Sequence, residues 1–268
     1  MTSLSKHIIV ERKVRVGIIT INRPEVKNAF DEATRMEFRD ALKELRHDDK
    51  IRVIIITGTG DSFSTGQDLK SLYNTPQDRL KWLTDFGRLM ILEIMTGNDY
   101  DADPREFFDK ITSGNGVKYE IGENWKPVIA QINGYAMGGG FELACACDFR
   151  FASENATLSF PEVDMRIIPA WGGSQNSVAL FGLPLAKYLM FTAERIPAPK
   201  AKALGIVHDV FKAEQLGEET MKFAKIMSLK NPPTLRALKI LSEQLRGDQL
   251  LRGLALEHEA LWKLDASR

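Results

Sequence analysis

The sequence predicts an α/β fold, because buried strands and amphipathic helices alternate along the chain. Residues 53–56 and 128–132 are apolar and mostly β-branched runs, which are typical of strands buried on both faces of a sheet. Each run is followed by a loop that contains glycine and then by a segment that favours a helix. This order predicts helices layered on sheets and disfavours a helical bundle or a β-sandwich.

The first elements are predicted from their periodicity. Residues 8–21 alternate as a β-hairpin does, with the turn expected at Arg12 and Lys13. Over residues 31–46 apolar side chains recur at helical spacing, and Asp31 is placed to cap that helix.

The rest of the chain divides into a core and a helical region. A second helix is predicted near residues 78–95, whereas residues 96–124 show no single period and are predicted to be an insertion. The predicted domains are therefore a core over residues 1–200 and a C-terminal helical region over residues 201–268, with its last long segment opening at Pro232.

The composition excludes several classes of function. The chain has 268 residues with 36 basic and 36 acidic side chains, so it offers nucleic acid no global basic field. A content of 44% apolar residues supplies a core and argues against disorder. Cys145 and Cys147 are too close for an unstrained disulfide and too few for a structural zinc site. With no stretch that resembles a signal peptide or a membrane span, we expect a soluble cytoplasmic protein without a bound metal.

Three consecutive glycines, residues 138–140, stand between a predicted strand and an apolar helical segment. Glycine at a helix N-terminus lets an anion or a polarised carbonyl approach unpaired backbone N–H groups. The spacing matches neither the dinucleotide-binding fingerprint nor a phosphate loop, and tight packing alone would also explain it. A second loop of this kind, residues 63–68, also follows a buried strand, so amides of both loops could point at one oxygen.

Two glutamates, Glu142 and Glu162, flank this arrangement. Glu142 lies among apolar neighbours and would need a partner if it is buried, although both residues would ordinarily lie on a surface. If the two meet across a water molecule, desolvation and mutual repulsion raise at least one pKa. The pair would then supply an acid and a base near neutral pH.

An ordered series of motifs resembles the crotonase, or enoyl-CoA hydratase/isomerase, superfamily. In chain order the motifs are IITINRP (18–24), NAF (28–30), FSTGQDL (63–69), KPVIAQINGYAMGGGFEL (126–143), CD (147–148), FPE (160–162), IP (168–169), GGSQ (172–175) and ALGIV (203–207). The resemblance implies a spiral of ββα units followed by a helical region that builds homotrimers, often paired into hexamers. It also implies an acyl-CoA substrate and no cofactor beyond the coenzyme A that the substrate carries.

The resemblance also implies roles for particular residues. The backbone N–H groups of Gln67 and Gly139 would form the oxyanion hole for the thioester carbonyl. Glu142 and Glu162 would hold the water that is added, and the N–H group of Ala170 would help to position it. Coenzyme A would lie along Lys27, Ala29, Ser64, Thr65, Gly66 and Asp68.

Two of these coenzyme A assignments have simpler alternatives. Lys27 is either a phosphate contact or a solvated loop lysine. Asp68 fits a turn or cap residue better than a catalyst.

Retention of both glutamates favours a hydratase. The resemblance places such an enzyme in acyl-CoA metabolism, as in fatty acid or aromatic acid degradation, but the sequence does not identify the pathway. Other reactions of the superfamily stay open: double-bond isomerisation, hydration of a cyclic dienoyl-CoA, or ring-opening hydrolysis. A non-catalytic RNA-binding relative is disfavoured by the zero net charge. Arg166, Trp171 and the insertion at 96–124 depart from the pattern of the superfamily and could reshape the acyl pocket. The usual last helix, with its phosphate-binding lysine, is expected to be absent after residue 264.

Overall fold

The computed structural model describes residues 7–70, 77–100, 103–113 and 118–265. In chain order the strands are β1 (Ile8–Lys13), β2 (Val16–Ile21), β3 (Val53–Gly58), β4 (Ser62–Ser64), β5 (Val128–Ile132), β6 (Tyr135–Met137), β7 (Phe149–Ser153), β8 (Thr157–Ser159), β9 (Ile196–Pro197) and β10 (Asp209–Phe211). The helices are α1 (Glu32–His47), α2 (Gln77–Thr96), α3 (Pro104–Thr112), α4 (Gly139–Ala146), α5 (Gly173–Phe181), α6 (Leu183–Thr192), α7 (Ala198–Ala203), α8 (Leu216–Ser228) and α9 (Pro232–Asp265). Short 3₁₀ helices lie at Pro24–Val26 and Pro161–Met165.

The strands form two sheets that the chain visits alternately. The larger sheet has the order β1-β2-β3-β5-β7-β10, and the smaller has the order β4-β6-β8-β9. Within the larger sheet only the β1–β2 pair is antiparallel. The chain passes from a strand of the larger sheet to one of the smaller and then into a helix, as in β3-β4-α2, β5-β6-α4 and β7-β8-α5. The predicted spiral of ββα units is confirmed.

The opening hairpin is confirmed, but the predicted position of its turn is wrong. Lys13 pairs with Val16, so the turn consists of Val14 and Arg15 and not of Arg12 and Lys13. Val14 and Arg15 adopt φ values of 28° and 65°. Tight hairpin turns need positive φ, and valine and arginine do not signal it, so the position of this turn could not be predicted from residue type.

Helices pack on both faces of the larger sheet, and α4, which lies against β4 and β6 of the smaller sheet, is buried from Gly140 to Ala146. On one face α1 and α4 contribute Phe38, Leu42 and Phe141 to the main core. On the other face Leu216 and Ala224 of α8 pack on strand residues in a second cluster. The start of α1 is capped as predicted, since the Asp31 side chain accepts a hydrogen bond of 2.8 Å from the Thr34 N–H.

The region predicted as an insertion at residues 96–124 is described in part, because residues 101–102 and 114–117 lie outside the described ranges. It contains α3, which periodicity did not predict. The Phe108 ring is buried and stacks on His258 of α9, with ring centroids 6.2 Å apart. The predicted domain boundary at residue 200 stays a prediction. None of the helices in the described ranges combines the length and the apolar character that crossing a bilayer requires.

Candidate active site

A cavity of about 480 Å³ brings the predicted catalytic residues together. Its wall includes Gln67 from the loop after β4, Gly139 and Glu142 from the first turn of α4, and Glu162 from the 3₁₀ helix after β8. Residues that are far apart in sequence therefore face one space. Ala170, the predicted contact for the water, also lines it.

The two glycine loops touch each other through their backbones. A Cβ atom built on Gly66 would lie 2.5 Å from the backbone N of Gly139, and one built on Gly140 would lie 2.0 Å from the carbonyl O of Ser64. Gly66 also adopts a φ of +78°, which side-chain-bearing residues rarely adopt. Only glycine at these positions allows the two loops to approach so closely.

Backbone hydrogen bonds hold the loop whose N–H group at Gln67 would form part of the predicted oxyanion hole. The Phe30 N–H donates to Gly66 O at 2.7 Å, and the Asp68 N–H donates to Phe30 O at 3.0 Å, so the backbone is held on both sides of Gln67. Gly139 is the first residue of α4, where a backbone N–H has no partner within the helix. The arrangement can offer main-chain donors to an oxygen in the cavity.

Glu142 is buried, with 2% of its surface exposed, and it is held by backbone donors. Its Oε2 accepts hydrogen bonds from the N–H groups of Trp171 at 2.7 Å and Gly173 at 2.5 Å. Burial, followed by the nearby carboxylates of Glu162 and Glu257, raises the pKa of Glu142 well above its ordinary value, and the two N–H bonds act against that rise. The carboxyl group therefore keeps its proton to a higher pH than an ordinary glutamate does.

Glu162 is also buried, but its carboxyl group has fewer partners. A Cβ built on Gly138 would lie 2.9 Å from Glu162 Oε1, which places this oxygen against the glycine loop. Its Oε2 is buried and has no hydrogen-bond partner in the part of the chain that the structure describes. Burial, with a further contribution from Glu257, raises the pKa of Glu162 to about 7. An unpartnered acidic oxygen beside a cavity is suited to proton transfer.

A buried arginine that sequence reasoning missed braces this region. Nη2 of Arg35 donates to the side-chain Oε1 of Gln67, and its guanidinium lies 5.0 Å from the centre of the Trp171 ring. Trp171 packs on the other loop, because a Cβ built on Gly139 would lie 2.7 Å from its ring. Arg35 therefore contacts the side chain of Gln67 directly and the start of α4 through Trp171.

The structure divides the predicted coenzyme A residues into two groups. Ala29, Thr65 and Asp68 line the cavity, whereas Lys27, Ser64 and Gly66 lie outside its wall. The Ser64 hydroxyl donates to Asn28 O at 2.8 Å and accepts from the Gly66 N–H, which is a bracing role.

Two charged residues of this group are held by other charges. The Lys27 ammonium pairs with Asp61. Asp68 lies 3.3 Å from an Arg23 guanidinium nitrogen and accepts a hydrogen bond from the Lys70 N–H at 3.0 Å, the bonding expected of a cap residue.

The structure also shows where the residues that depart from the superfamily pattern lie relative to the cavity. Trp171 and Arg166 both line the cavity. Trp171 fills the space beside Gly139, and Gly87 of α2 makes room for its indole, since a Cβ there would lie 2.3 Å from the ring nitrogen. None of the described residues of the segment 96–124 lines the cavity. The expectation that this segment reshapes the acyl pocket therefore has no support among those residues.

Sequence and structure comparisons agree on the family. Residues 16–256 match the sequence model of enoyl-CoA hydratase/isomerase. A crotonyl-CoA hydratase from Syntrophomonas wolfei is 32% identical over 256 residues, which cover 95% of this chain and 88% of the relative. A short-chain-enoyl-CoA hydratase from Clostridium acetobutylicum is 34% identical over 261 residues, with 95% and 87% covered. The crystal structure of an enoyl-CoA hydratase from Bacillus anthracis matches with a TM-score of 0.78 at 28% identity, covering 98% of this chain and 92% of that one.

The chain belongs to the enoyl-CoA hydratase/isomerase family. The predicted superfamily and fold class are confirmed, and so is the prediction of an enzyme of the hydratase type. The roles of individual residues stay predictions.

Proposed function

We propose that the protein adds water reversibly to the double bond of an α,β-unsaturated acyl-CoA. The observation that supports this most is that two buried glutamates and the two glycine loops line one cavity. Hydratases are also among the relatives that match nearly the full length of the chain. A hydratase needs a base for water, an acid for the α-carbon and donors for the thioester oxygen.

In the proposed reaction the backbone N–H groups of Gln67 and Gly139 donate to the thioester carbonyl. The water oxygen bonds to the β-carbon while Glu142 takes one of its protons. The electron pair of the double bond moves towards the thioester oxygen, where the two donors stabilise the enolate-like charge. Glu162 gives its proton to the α-carbon, and proton exchange between the two carboxyl groups restores the starting state.

The hydrogen bonds of the two glutamates support this division of roles. The two N–H donors on Glu142 oppose the rise in pKa that burial causes and stabilise the ionised form, which is the form that activates water. Glu162 has an unpartnered Oε2 among the described residues and a pKa raised by burial, which suits the proton donor.

The substrate is expected to enter with its coenzyme A part along Ala29, Thr65 and Asp68, which line the cavity. Lys27 stays a candidate phosphate contact, although reaching a phosphate would require it to leave Asp61. The rest of the wall is largely apolar and suits an acyl chain; it includes Val26, Leu69, Met137, Ile167, Ile168 and Leu261.

A homotrimer or a dimer of trimers is the assembly that we propose. Large apolar side chains are exposed on α6, on α8 and the residue after it, and on α9, which supports burial between copies. They include Phe191, Ile226, Leu229, Leu238 and Leu241.

The proposed reaction is tested by incubating the protein with a set of linear and cyclic unsaturated acyl-CoA thioesters. The masses of the products are then measured by mass spectrometry. A gain of one water supports hydration. An unchanged mass with a moved double bond indicates isomerisation, and release of free coenzyme A or opening of a ring indicates hydrolysis. A protein that turns over no thioester but binds RNA in a salt-dependent manner would overturn the proposal.

A further inference from the structure

A third buried glutamate, Glu257 on α9, lies directly behind the candidate active site. Only 3% of its surface is exposed, and it does not line the cavity. Its Oε2 accepts a hydrogen bond of 3.0 Å from the Gly172 N–H, and its Oε1 accepts one from the Ser174 hydroxyl. Glu257 therefore binds the start of α5 from the side opposite to the cavity.

The bonds of Glu257 alternate with those of Glu142 along the same turn. The N–H groups of Trp171 and Gly173 point at Glu142, and the N–H group of Gly172 between them points at Glu257. The backbone from 171 to 174 is thus held between two carboxyl groups. Because Glu142 takes its position from this turn, Glu257 helps to set that position.

Burial raises the pKa of Glu257, but a nearby cation and three hydrogen-bond donors oppose that rise and support its negative charge: Arg88, the Ser174 hydroxyl and the N–H groups of Gly172 and Ser174. Oε2 of Glu257 lies 3.8 Å from Nε of Arg88, whereas within the described ranges neither Glu142 nor Glu162 has a cation at ion-pair distance. A negative charge at Glu257 opposes ionisation of its neighbours, and it adds to the effect of burial in raising the pKa values of Glu142 and Glu162.

Other charged groups face these carboxyl groups from the surrounding elements. From α2 come Arg88 and Asp85, which pair at 2.5 Å, and from α9 comes His258, whose Nδ1 lies 2.7 Å from Asp85 Oδ1. The charged residues that line the cavity beside Glu142 and Glu162 are Asp68, Lys70, Arg166 and Arg195. The side chains of Lys70, Arg166 and Arg195 are exposed, so solvent screens them, and Asp68 is paired with Arg23.

We propose that Glu257 is a positioning residue of the hydration reaction, which holds the turn that orients Glu142 and keeps a proton on the catalytic pair through its negative charge. This inference rests on the proposed function. It assigns the last described helix a part in catalysis, although Glu257 itself does not touch the cavity.

The test is the pH profile of the Glu257→Gln variant. Glutamine keeps an oxygen that can accept from the Gly172 N–H but removes the charge. Without that charge the proton donor ionises at lower pH, so we expect the alkaline limb of the profile of kcat/KM to move down by about one pH unit. The affinity for a saturated acyl-CoA, measured by calorimetry, is expected to stay unchanged because Glu257 lies outside the cavity.

Glu243→Gln is the matched control. Glu243 is a buried glutamate on the same helix, but it pairs with Lys239 at 3.1 Å and accepts from the Tyr119 hydroxyl at 3.2 Å. Its substitution is expected to leave the pH profile in place. An unchanged profile in Glu257→Gln, or an equal shift in Glu243→Gln, would overturn the inference.

Two further measurements keep the test decisive. If Glu257→Gln does not fold, Glu257→Asp is used, because aspartate keeps the negative charge on a shorter side chain. A lower kcat with the alkaline limb at its wild-type pH supports the inference. A shifted alkaline limb contradicts it. The infrared band of protonated carboxyl groups reports ionisation without activity. A wild-type protein that hydrates no thioester refutes the proposed function, whereas an infrared titration that is identical in wild type and variant refutes the role of Glu257.

Discussion

Glu142 and Glu257 bind alternate backbone amides of one turn, the former from the side of the cavity and the latter from the side of α9. The turn cannot move towards one carboxyl group without lengthening its bonds to the other. A rigid support of this kind is what acid–base catalysis requires, since small displacements of a catalytic group are costly to the rate.

Replacing Glu162 with glutamine tests the proton donor. The amide cannot supply an acidic proton, so we expect kcat for hydration to fall by about 10²- to 10⁴-fold. The affinity for a saturated acyl-CoA, measured by calorimetry, should stay near that of the wild type. Glu154→Gln, at an exposed glutamate, is the control and should be fully active. Normal turnover in Glu162→Gln would exclude the two-carboxylate mechanism.

For Glu162→Gln we also predict a gain in the free energy of unfolding that depends on pH. The pKa of Glu162 is about 7 in the folded protein against an ordinary value of 4.5, so the folded state binds this proton more tightly than the unfolded state. Its contribution to the free energy of unfolding is therefore full below about pH 4.5 and is lost as the pH rises through about 7. Since glutamine has no charge to bury, Glu162→Gln should become more stable than the wild type between about pH 5 and pH 8.

The difference in stability should approach about 1.4 kcal/mol for each unit of pKa shift. Urea denaturation at both ends of that pH range measures it. An equal stability difference at the two pH values would show that Glu162 does not titrate in this range.

Because the two glycine loops are in contact, we predict that a single methyl group added at Gly66 lowers both activity and stability. In Gly66→Ala the new Cβ would overlap the N–H of Gly139 and would also sit at a positive φ. We expect a loss of hydration activity of about 10²- to 10³-fold, the cost of one lost oxyanion donor, together with a lower melting temperature. A Cβ at Gly217 meets no described atom within 4 Å, so Gly217→Ala should change neither property. Full activity of Gly66→Ala would contradict the proposed oxyanion hole.

Arg35 should matter more for the rate than for stability. Its Nε and Nη1 are buried and lack partners among the described residues, so Arg35→Met removes a poorly compensated charge and should leave the free energy of unfolding nearly unchanged. Loss of the contacts with Gln67 and Trp171 should lower kcat by roughly 10- to 100-fold. Arg12→Met, at an exposed salt bridge with Glu44, is the comparison for steady-state kinetics and denaturation. Unfolding of Arg35→Met without any rate defect in its folded fraction would point to a purely structural role.

Much of the site could be predicted because it follows from local rules. A buried strand followed by glycines predicts exposed amides at the next helix, and the ends of parallel strands meet at one edge of a sheet. These rules bring Gln67, Gly139 and Glu142 to one cavity without knowledge of any long-range contact. Glu162 is placed there because β8 pairs directly with β6, the strand that leads into α4.

The missed features depend on contacts across the chain or on side-chain direction. Glu257 occupies an apolar helical stripe with Leu250, Leu254 and Leu261, an acidic residue on a buried face that could have been noticed from its spacing. What it binds could not have been predicted without the fold. Likewise, adjacent residues at the end of β4 point in opposite directions, so Thr65 faces the cavity and Ser64 does not.

The hydrogen bonds from the turn at 171–174 to Glu257 of α9 affect the stage of protein synthesis at which the candidate active site is complete. A nascent chain that has left the ribosome as far as α5 already contains both glutamates to which catalysis is assigned in the proposal, Glu142 and Glu162, and both glycine loops. It still lacks the acceptor for the Gly172 N–H and the Ser174 hydroxyl, which comes from a helix made considerably later. On the proposed role of Glu257, the site would be complete only once α9 has been made, and translation products that stop before α9 would be poor catalysts.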